Sequence, residues 1–135
     1  MFTAEIKYLG DLRTEATHLA SGKTFITDAP VDNHGRGEAF SPTDTVTAAL
    51  GSCMLTLMGI AANTHEIDMS GTKIEVKKHM ASDPRRIIKI DVVITFTGKN
   101  YTDKQKAILE HTAITCPVAK SLNPEIEQAV EFVYQ

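Results

Sequence analysis

The chain has 135 residues and a net charge of −3, with 14 Lys and Arg residues against 17 Asp and Glu residues. Its length is typical of one domain, and its 42% share of hydrophobic residues is that of an ordinary soluble globular protein. The acidic balance argues against a nucleic-acid-binding protein, because such a protein needs a basic face against phosphates. We therefore expect residues 1–135 to form a single domain.

Alternating residues and turn signals predict three short antiparallel strands before a polar loop rich in Pro, Asn and Gly. A long helix follows the loop, then two strands, two helices and a final strand. The predicted strands cover 3–9, 13–20, 23–27, 72–80, 87–97 and 126–134, and the later helices begin after Thr102 and Cys116. Because strands and helices do not alternate one by one, this order predicts an α+β fold.

The central helix has the clearest start signal in the chain. Ser41 is a preferred N-cap residue, Pro42 suits the first helical position, and Asp44 completes a variant of the capping box. Apolar residues up to Asn63 point in nearly every direction, which predicts a helix buried on most sides. Gly51 costs a helix about 1 kcal/mol, so we expect another element to approach the backbone there. The apolar run is interrupted by polar residues and falls short of the ~20 residues that a membrane span needs.

Two cysteines, Cys53 in the central helix and Cys116 before Pro117, are too few for a disulfide scaffold. The N-terminal residues contain no signal-peptide pattern, so we expect a cytoplasmic protein whose thiols stay reduced. The two thiols then form either a redox pair or two small buried hydrophobic groups. At the start of a helix, the Cys116 thiol is expected to have a lowered pKa.

Two motifs resemble the OsmC/Ohr superfamily of thiol-dependent peroxidases. They are FSPTD and AALGSC, between Phe40 and Cys53, and CPVAKSL, from Cys116 to Leu122. The resemblance covers nearly the whole chain and includes the spacing of the two cysteines. It implies an OsmC-like fold, with antiparallel sheets around a long buried central helix, in an intertwined homodimer whose active site forms at the interface.

The resemblance also implies roles for particular residues. Cys53 would be the peroxidatic thiolate that attacks the peroxide, and Cys116 the resolving thiol. The cation beside the thiolate would be Arg13, with Arg36 in the polar loop as its rival. The substrate would be an organic hydroperoxide or hydrogen peroxide, and the reductant a dithiol such as a lipoylated protein. No cofactor, nucleic acid or membrane is implied.

One position departs from the family pattern. Well-described members carry a Glu ten residues before the cysteine, where this chain has Thr43, and its acid follows one residue later as Asp44. Nine residues turn a helix by about half a revolution relative to Cys53. Asp44 is therefore either the acid of the catalytic site or only a helix cap. The departure keeps a second hypothesis open, in which the protein is a non-enzymatic stress-response or small-molecule-binding member.

The histidines do not indicate a metal site, because their spacing is not that of metal ligands. They are His18, His34, His65, His79 and His111. A Cys–His hydrolase with His34 as the base is formally possible, but nothing in the sequence orients that histidine.

Overall fold

The computed structural model describes residues 1–98 and 100–135, and its elements follow the order predicted from the sequence. The α+β class is thereby confirmed. The elements are β1 (Ala4–Gly10), β2 (Arg13–His18), β3 (Thr24–Asp28), a 3-10 turn (Val31–Asn33), α1 (Pro42–Thr64), β4 (Lys73–Ala81), β5 (Arg86–Phe96), α2 (Asp103–Ile114), α3 (Pro117–Ser121) and β6 (Glu127–Tyr134).

The chain divides into two compact units, Met1–Val46 and Thr47–Gln135. That the whole chain acts as one domain stays a prediction. The first unit holds the antiparallel sheet β1–β2–β3, as the alternating pattern predicts. In this sheet Arg13, at the start of β2, lies directly opposite Asp28, at the end of β3.

The second unit holds the sheet β4–β5–β6, in which β4 and β5 are antiparallel and β5 and β6 are parallel. The expectation of antiparallel sheets is therefore wrong for this last pair. The physical reason is the connection between β5 and β6. It contains α2 and α3, and a crossover of that length lets two neighbouring strands run in the same direction.

The core of the second unit forms where α1 packs on this sheet. Three fully buried residues at successive turns of α1, Leu50, Met54 and Met58, join Ile90 and Val92 of β5 in one cluster. Leu109 and Ala113 of α2 belong to the same cluster. Spacing of three or four residues is what places side chains on one side of a helix, so α1 uses one side for this core.

The expectation that α1 is buried on most sides is wrong for the single chain. Its buried residues lie on one side, and Ile60 on another side is 57% exposed. The length argument against a membrane span is also wrong, because α1 has 23 residues and is apolar enough to cross a bilayer. Length and composition alone are weak evidence of a span, however, because the core helix of a soluble protein passes the same test.

A β-bulge changes which residues of β5 face the core. The sequence pattern predicts Ile88 on the core side with Ile90 and Val92. The pairing of β4 with β5 shifts between His79 and Met80, and Ile88 is 42% exposed whereas Ile87 is buried. An extra residue in one strand reverses the direction of the side chains beyond it, which explains the error.

Gly51 lies where α1 approaches β4 closely, as its cost in a helix predicts. A Cβ at this position would lie 3.2 Å from Ile74 Cγ2 and 3.2 Å from Val76 Cγ1. Gly59, two turns later in the same helix, has no neighbour within 4 Å of such a Cβ. Gly51 thus occupies a crowded position and Gly59 an open position in the same helix.

We expect Gly51→Val to lower the free energy of unfolding by about 1–3 kcal/mol more than Gly59→Val, because only the first forces β4 away from α1. Both substitutions carry the same helix-propensity change, so their difference isolates the contact. Urea unfolding followed by far-UV circular dichroism measures it. Equal destabilisation by the two variants would contradict the close approach.

Candidate active site

The two cysteines predicted to act together lie next to each other in the second unit. Cys53 is a half-buried residue in the middle of α1, and Cys116 lies between α2 and α3. Cys116 belongs to the buried core cluster and Cys53 packs against that cluster, close enough to affect the pKa of Cys116, and both are free thiols.

The end of α2 and the start of α3 hold Cys116 in place. Its backbone N–H donates to the carbonyl of Ala113 at 3.4 Å, and Pro117 begins α3. Its Sγ accepts a hydrogen bond from the N–H of Ala119 at 3.5 Å, which makes the thiol the N-cap of α3. The residue is only 1% exposed. Hydrogen bonds to one residue before Cys116 and to one after it therefore hold this residue and its buried sulfur in place.

The pKa of Cys116 is raised, mainly because burial disfavours the thiolate. The N–H groups of Ala119 and Val118 oppose this effect, and the contact with Cys53 adds to it. The expectation that the helix start lowers the pKa of this thiol is therefore wrong. The backbone N–H groups do act in the predicted direction, but desolvation outweighs them.

The first unit holds Arg13 in a fixed geometry. Its Nε donates to Asp28 Oδ1 at 2.7 Å and its Nη2 to Asp28 Oδ2 at 2.8 Å, a bidentate ion pair. Nη2 also reaches Glu38 Oε1 at 3.3 Å. The Asp28 side chain is fully buried, and the Arg13 guanidinium holds the pKa of that carboxyl below its usual range. Bidentate pairs of this kind fix both position and orientation.

Asp28 was missed in the sequence analysis, which ended the third strand at Thr27. Its partner is set by the register of β2 and β3 and not by its neighbours in the sequence. Thr17 pairs with Thr24 across the turn, and counting outward along both strands leads to Arg13 opposite Asp28. An opposite-charge pair in that register is a recognised cross-strand contact.

Asp44 and Arg36 are the two remaining candidate residues of the predicted site, and each makes contacts within its own surroundings. Asp44 Oδ2 accepts from the N–H of Ser41 at 3.0 Å, and Ser41 Oγ accepts from the N–H of Asp44 at 3.0 Å. This is the capping box expected at the start of α1. Arg36 is more exposed than Arg13 and makes longer ion pairs, 3.6 Å to Asp11 and 3.9 Å to Glu38. The structure thus places Arg13 in the more ordered environment of the two.

A search of residues 1–98 and 100–135 finds no group of three His, Cys, Asp or Glu side chains that could hold a metal ion. His79 instead bonds to Asp91 through its Nε2, at 2.6 Å from Oδ2, on the sheet of the second unit.

We expect iodoacetamide to alkylate Cys53 of the folded, reduced protein about tenfold faster or more than Cys116, because a thiol that is buried and has a raised pKa reacts slowly. Peptide mass spectrometry after timed quenching measures both rates in one sample. In denaturant the two cysteines should react alike, which serves as the control. Equal rates in the folded protein would contradict the placement of Cys116.

Comparison with solved structures supports the same fold over the full chain. A protein from Psychrobacter arcticus 273-4, named as a candidate osmotic stress induced and detoxification response protein, is 52% identical, with a TM-score of 0.93 and coverage of 100% of this chain and 96% of that one. An organic hydroperoxide resistance protein OsmC from Legionella pneumophila is 15% identical, with a TM-score of 0.75 and 98% coverage of both chains. The organic hydroperoxide resistance protein OhrB of Bacillus subtilis is 17% identical, with a TM-score of 0.68 and coverage of 97% and 98%.

The last two structures share the fold at low identity. A search of curated proteins finds no match to the chain. The family model described as OsmC-like protein matches residues 35–131, which include Cys53, Cys116 and all of α1. The chain therefore belongs to the OsmC-like family.

Proposed function

We propose that this protein is a cysteine-based peroxidase that reduces organic hydroperoxides or hydrogen peroxide in a cytoplasmic oxidative-stress response. The observation that carries the proposal is the packing of the half-buried Cys53 against the buried cluster that contains the Cys116 thiol. Membership of the OsmC-like family and the names of two structural neighbours, both organic hydroperoxide resistance proteins, support it.

Cys53 carries out the first step. Its thiolate attacks one oxygen of the peroxide, the O–O bond breaks, and the other oxygen leaves with a proton as an alcohol or as water. Cys53 is oxidised to a sulfenic acid while the peroxide is reduced by two electrons. The greater exposure of Cys53 supports this assignment, because the attacking sulfur must meet a peroxide from solution.

Cys116 carries out the second step. Its sulfur attacks the Cys53 sulfenic acid, a water molecule leaves, and a Cys53–Cys116 disulfide forms. Burial suits this role, since a thiol that meets only its neighbour needs no access to solvent. An external dithiol, such as that of a lipoylated protein, then reduces the disulfide by thiol exchange and becomes a disulfide itself.

Arg13 supplies the positive charge that stabilises the Cys53 thiolate in this proposal. Its ordered ion pair with Asp28 favours it over the more exposed Arg36. The contact between Asp44 and Ser41 supports a capping role for this acid, and a catalytic role for Asp44 stays a prediction.

We further propose that the working form is a homodimer. Large apolar side chains are exposed in each unit, among them Ile6, Tyr8 and Phe25 in the first sheet and Ile60 in α1. A groove of about 460 Å³ also lies between α1 and β4, lined by residues such as Leu55 and Ile74. Such surfaces are costly in water, and a second copy of the chain would bury them.

The peroxidase proposal predicts different losses for the two cysteines. We expect Cys53→Ser to abolish peroxide consumption with a dithiol reductant, because the remaining thiol, Cys116, is buried and its raised pKa disfavours the thiolate. Cys116→Ser should keep a stoichiometric first turnover with cumene hydroperoxide and then cycle slowly or stop. Anaerobic peroxide assays, with one equivalent and with excess substrate, measure these two outcomes.

Undiminished turnover by Cys53→Ser would refute the proposal. Thiol titration before and after one equivalent of cumene hydroperoxide separates the peroxidase from a non-enzymatic binding protein. Loss of both thiols favours the peroxidase, and two unchanged thiols favour the binding protein.

For the dimer, we expect sedimentation to give twice the mass of one chain and Ile60→Glu to shift the protein toward the monomer. The reason is that a charge at this exposed apolar position would be buried without a partner in the interface. Lys77→Glu, a charge change on an exposed residue of β4, is the control and should leave the mass unchanged. A monomeric wild-type protein at micromolar concentration would refute the dimer.

A further inference from the structure

We propose that Gln128 of β6 positions the resolving thiol, because its side-chain amide binds the residue of α3 whose N–H holds the Cys116 sulfur. The inference deepens the proposed function and rests on it, since Cys116 attacks the oxidised Cys53 only in that peroxidase. All of the residues involved lie in the second unit.

Gln128 interrupts a row of apolar side chains on the face of β6 that packs on the core. It pairs with the fully buried Ile90 of β5, and residues two apart in a strand share a face. The other members of this row, all packed against the core cluster, are Ile126, Val130, Phe132 and Tyr134. A polar group turned toward a core costs free energy unless it finds a partner. The amide at this position therefore needs a hydrogen bond that an apolar residue would not.

The partner of this amide is the backbone of α3. Gln128 Nε2 donates to the carbonyl oxygen of Ala119 at 3.1 Å. Ala119 lies in the last turn of the five-residue α3, where carbonyl groups lack partners within the helix. A helix this short has little stability of its own, so contacts with the rest of the unit hold it in place. The hydrogen bond from Gln128 thus joins the middle of α3 to β6.

Ala119 is also the residue that holds the sulfur. Its N–H donates to Cys116 Sγ at 3.5 Å, and the N–H groups of Ala119 and Val118 both act to lower the pKa of this thiol against the larger effect of burial. The carbonyl and the N–H of Ala119 belong to one residue of a single helical turn. A shift of the backbone at the carbonyl therefore moves the N–H as well, and Gln128 acts on the sulfur through Ala119.

The position of the Cys116 sulfur matters for the second step of the proposed reaction. This sulfur attacks the sulfur of the Cys53 sulfenic acid, the S–S bond forms as the S–O bond breaks, and water leaves with the proton of the Cys116 thiol. A displacement of a reacting atom on the order of 1 Å can cost about 100-fold in rate. Loosening α3 also opens the buried Cys116 to solvent. A positioning role thus predicts slower disulfide formation together with faster alkylation of Cys116.

Simple packing predicts the opposite change in the access of solvent to Cys116. Gln128→Met keeps the length of the side chain and completes the apolar row, so by burial alone it would hold α3 as well as before or better. If the hydrogen bond positions Ala119, the same substitution leaves that carbonyl unpaired and releases α3. The two roles are therefore separated by the direction in which the alkylation rate of Cys116 changes.

The experiment compares three variants of the full chain, each checked for folding by circular dichroism. Gln128→Met removes the amide, and Gln128→Glu keeps its size but replaces the N–H donor with a carboxylate that only accepts. Gln128→Glu is used alone where Gln128→Met does not fold. Tyr134→Phe is the matched control. It removes one side-chain donor from the same face of β6, but the partner of that donor, Glu110, lies on α2.

Three measurements separate the two thiols and the two steps of the reaction. Timed alkylation of the reduced protein by iodoacetamide gives the reaction rate of each cysteine. Oxidation by one equivalent of cumene hydroperoxide in the presence of dimedone, which traps sulfenic acids, gives the ratio of trapped Cys53 to disulfide. This ratio rises when Cys116 attacks more slowly. The rate of peroxide consumption in the first turnover reports on the first step.

We expect both Gln128 variants to speed alkylation of Cys116 by about 3- to 10-fold, the effect of one lost hydrogen bond on local opening. The ratio of trapped Cys53 to disulfide should rise by about 3- to 10-fold as well. Alkylation of Cys53 and the rate of the first step should match the wild type, because Gln128 acts on Cys116 alone. Tyr134→Phe should match the wild type in all three measurements.

Unchanged or slower alkylation of Cys116 in Gln128→Met, or in Gln128→Glu where that variant replaces it, would overturn the inference. An equal gain in Tyr134→Phe would overturn it too, because a general loosening of β6 would then explain the result. If the wild type consumes no peroxide, the proposed function fails, and the alkylation rates still decide whether Gln128 holds Cys116. If the wild type forms the disulfide and the Gln128 variants form it equally fast, the inference fails while the two-cysteine peroxidase stands.

Discussion

The packing of α1 on the sheet of the second unit is the contact on which the thiol pair depends. Gly51 lets the helix approach β4, and Leu50, Met54 and Met58 fill the space above β5. Cys53 lies within this packed segment, so its position is set by the core and not by a loop. A reactive group carried by a packed helix keeps its geometry far better than one on a mobile segment.

Much of this arrangement could be predicted from local signals. Ser41, Pro42 and Asp44 mark the start of α1, and Thr102 with Gln105 forms the capping box expected for α2. These signals are short-range, because a helix end must satisfy its own free N–H groups within a few residues. The family motifs indicated that the two cysteines act together, and Cys53 packs against the cluster that contains Cys116.

Other features depend on contacts that local patterns do not encode. The raised pKa of Cys116 results from burial by the rest of the second unit, which outweighs the helix start. Ile60 lies on a side of α1 that is exposed in the single chain. Asp28 was missed because its significance comes from the residue opposite it in the sheet and not from its own neighbours. A buried carboxylate of this kind also costs free energy unless its partner stays in place, so Arg13 and Asp28 depend on each other.

The parallel pairing of β5 and β6 has a consequence for how the thiol pair is assembled. Cys116 lies inside the crossover that joins these strands, and Cys53 lies 63 residues earlier in α1, so the two thiols meet only through contacts between distant parts of the chain. Closing such a long connection is slow compared with forming a helix or a hairpin. During that interval Cys53 can already occupy its helix without a neighbouring thiol. In the proposed peroxidase, formation of the thiol pair therefore depends on contacts between residues far apart in the sequence, which form more slowly than local ones.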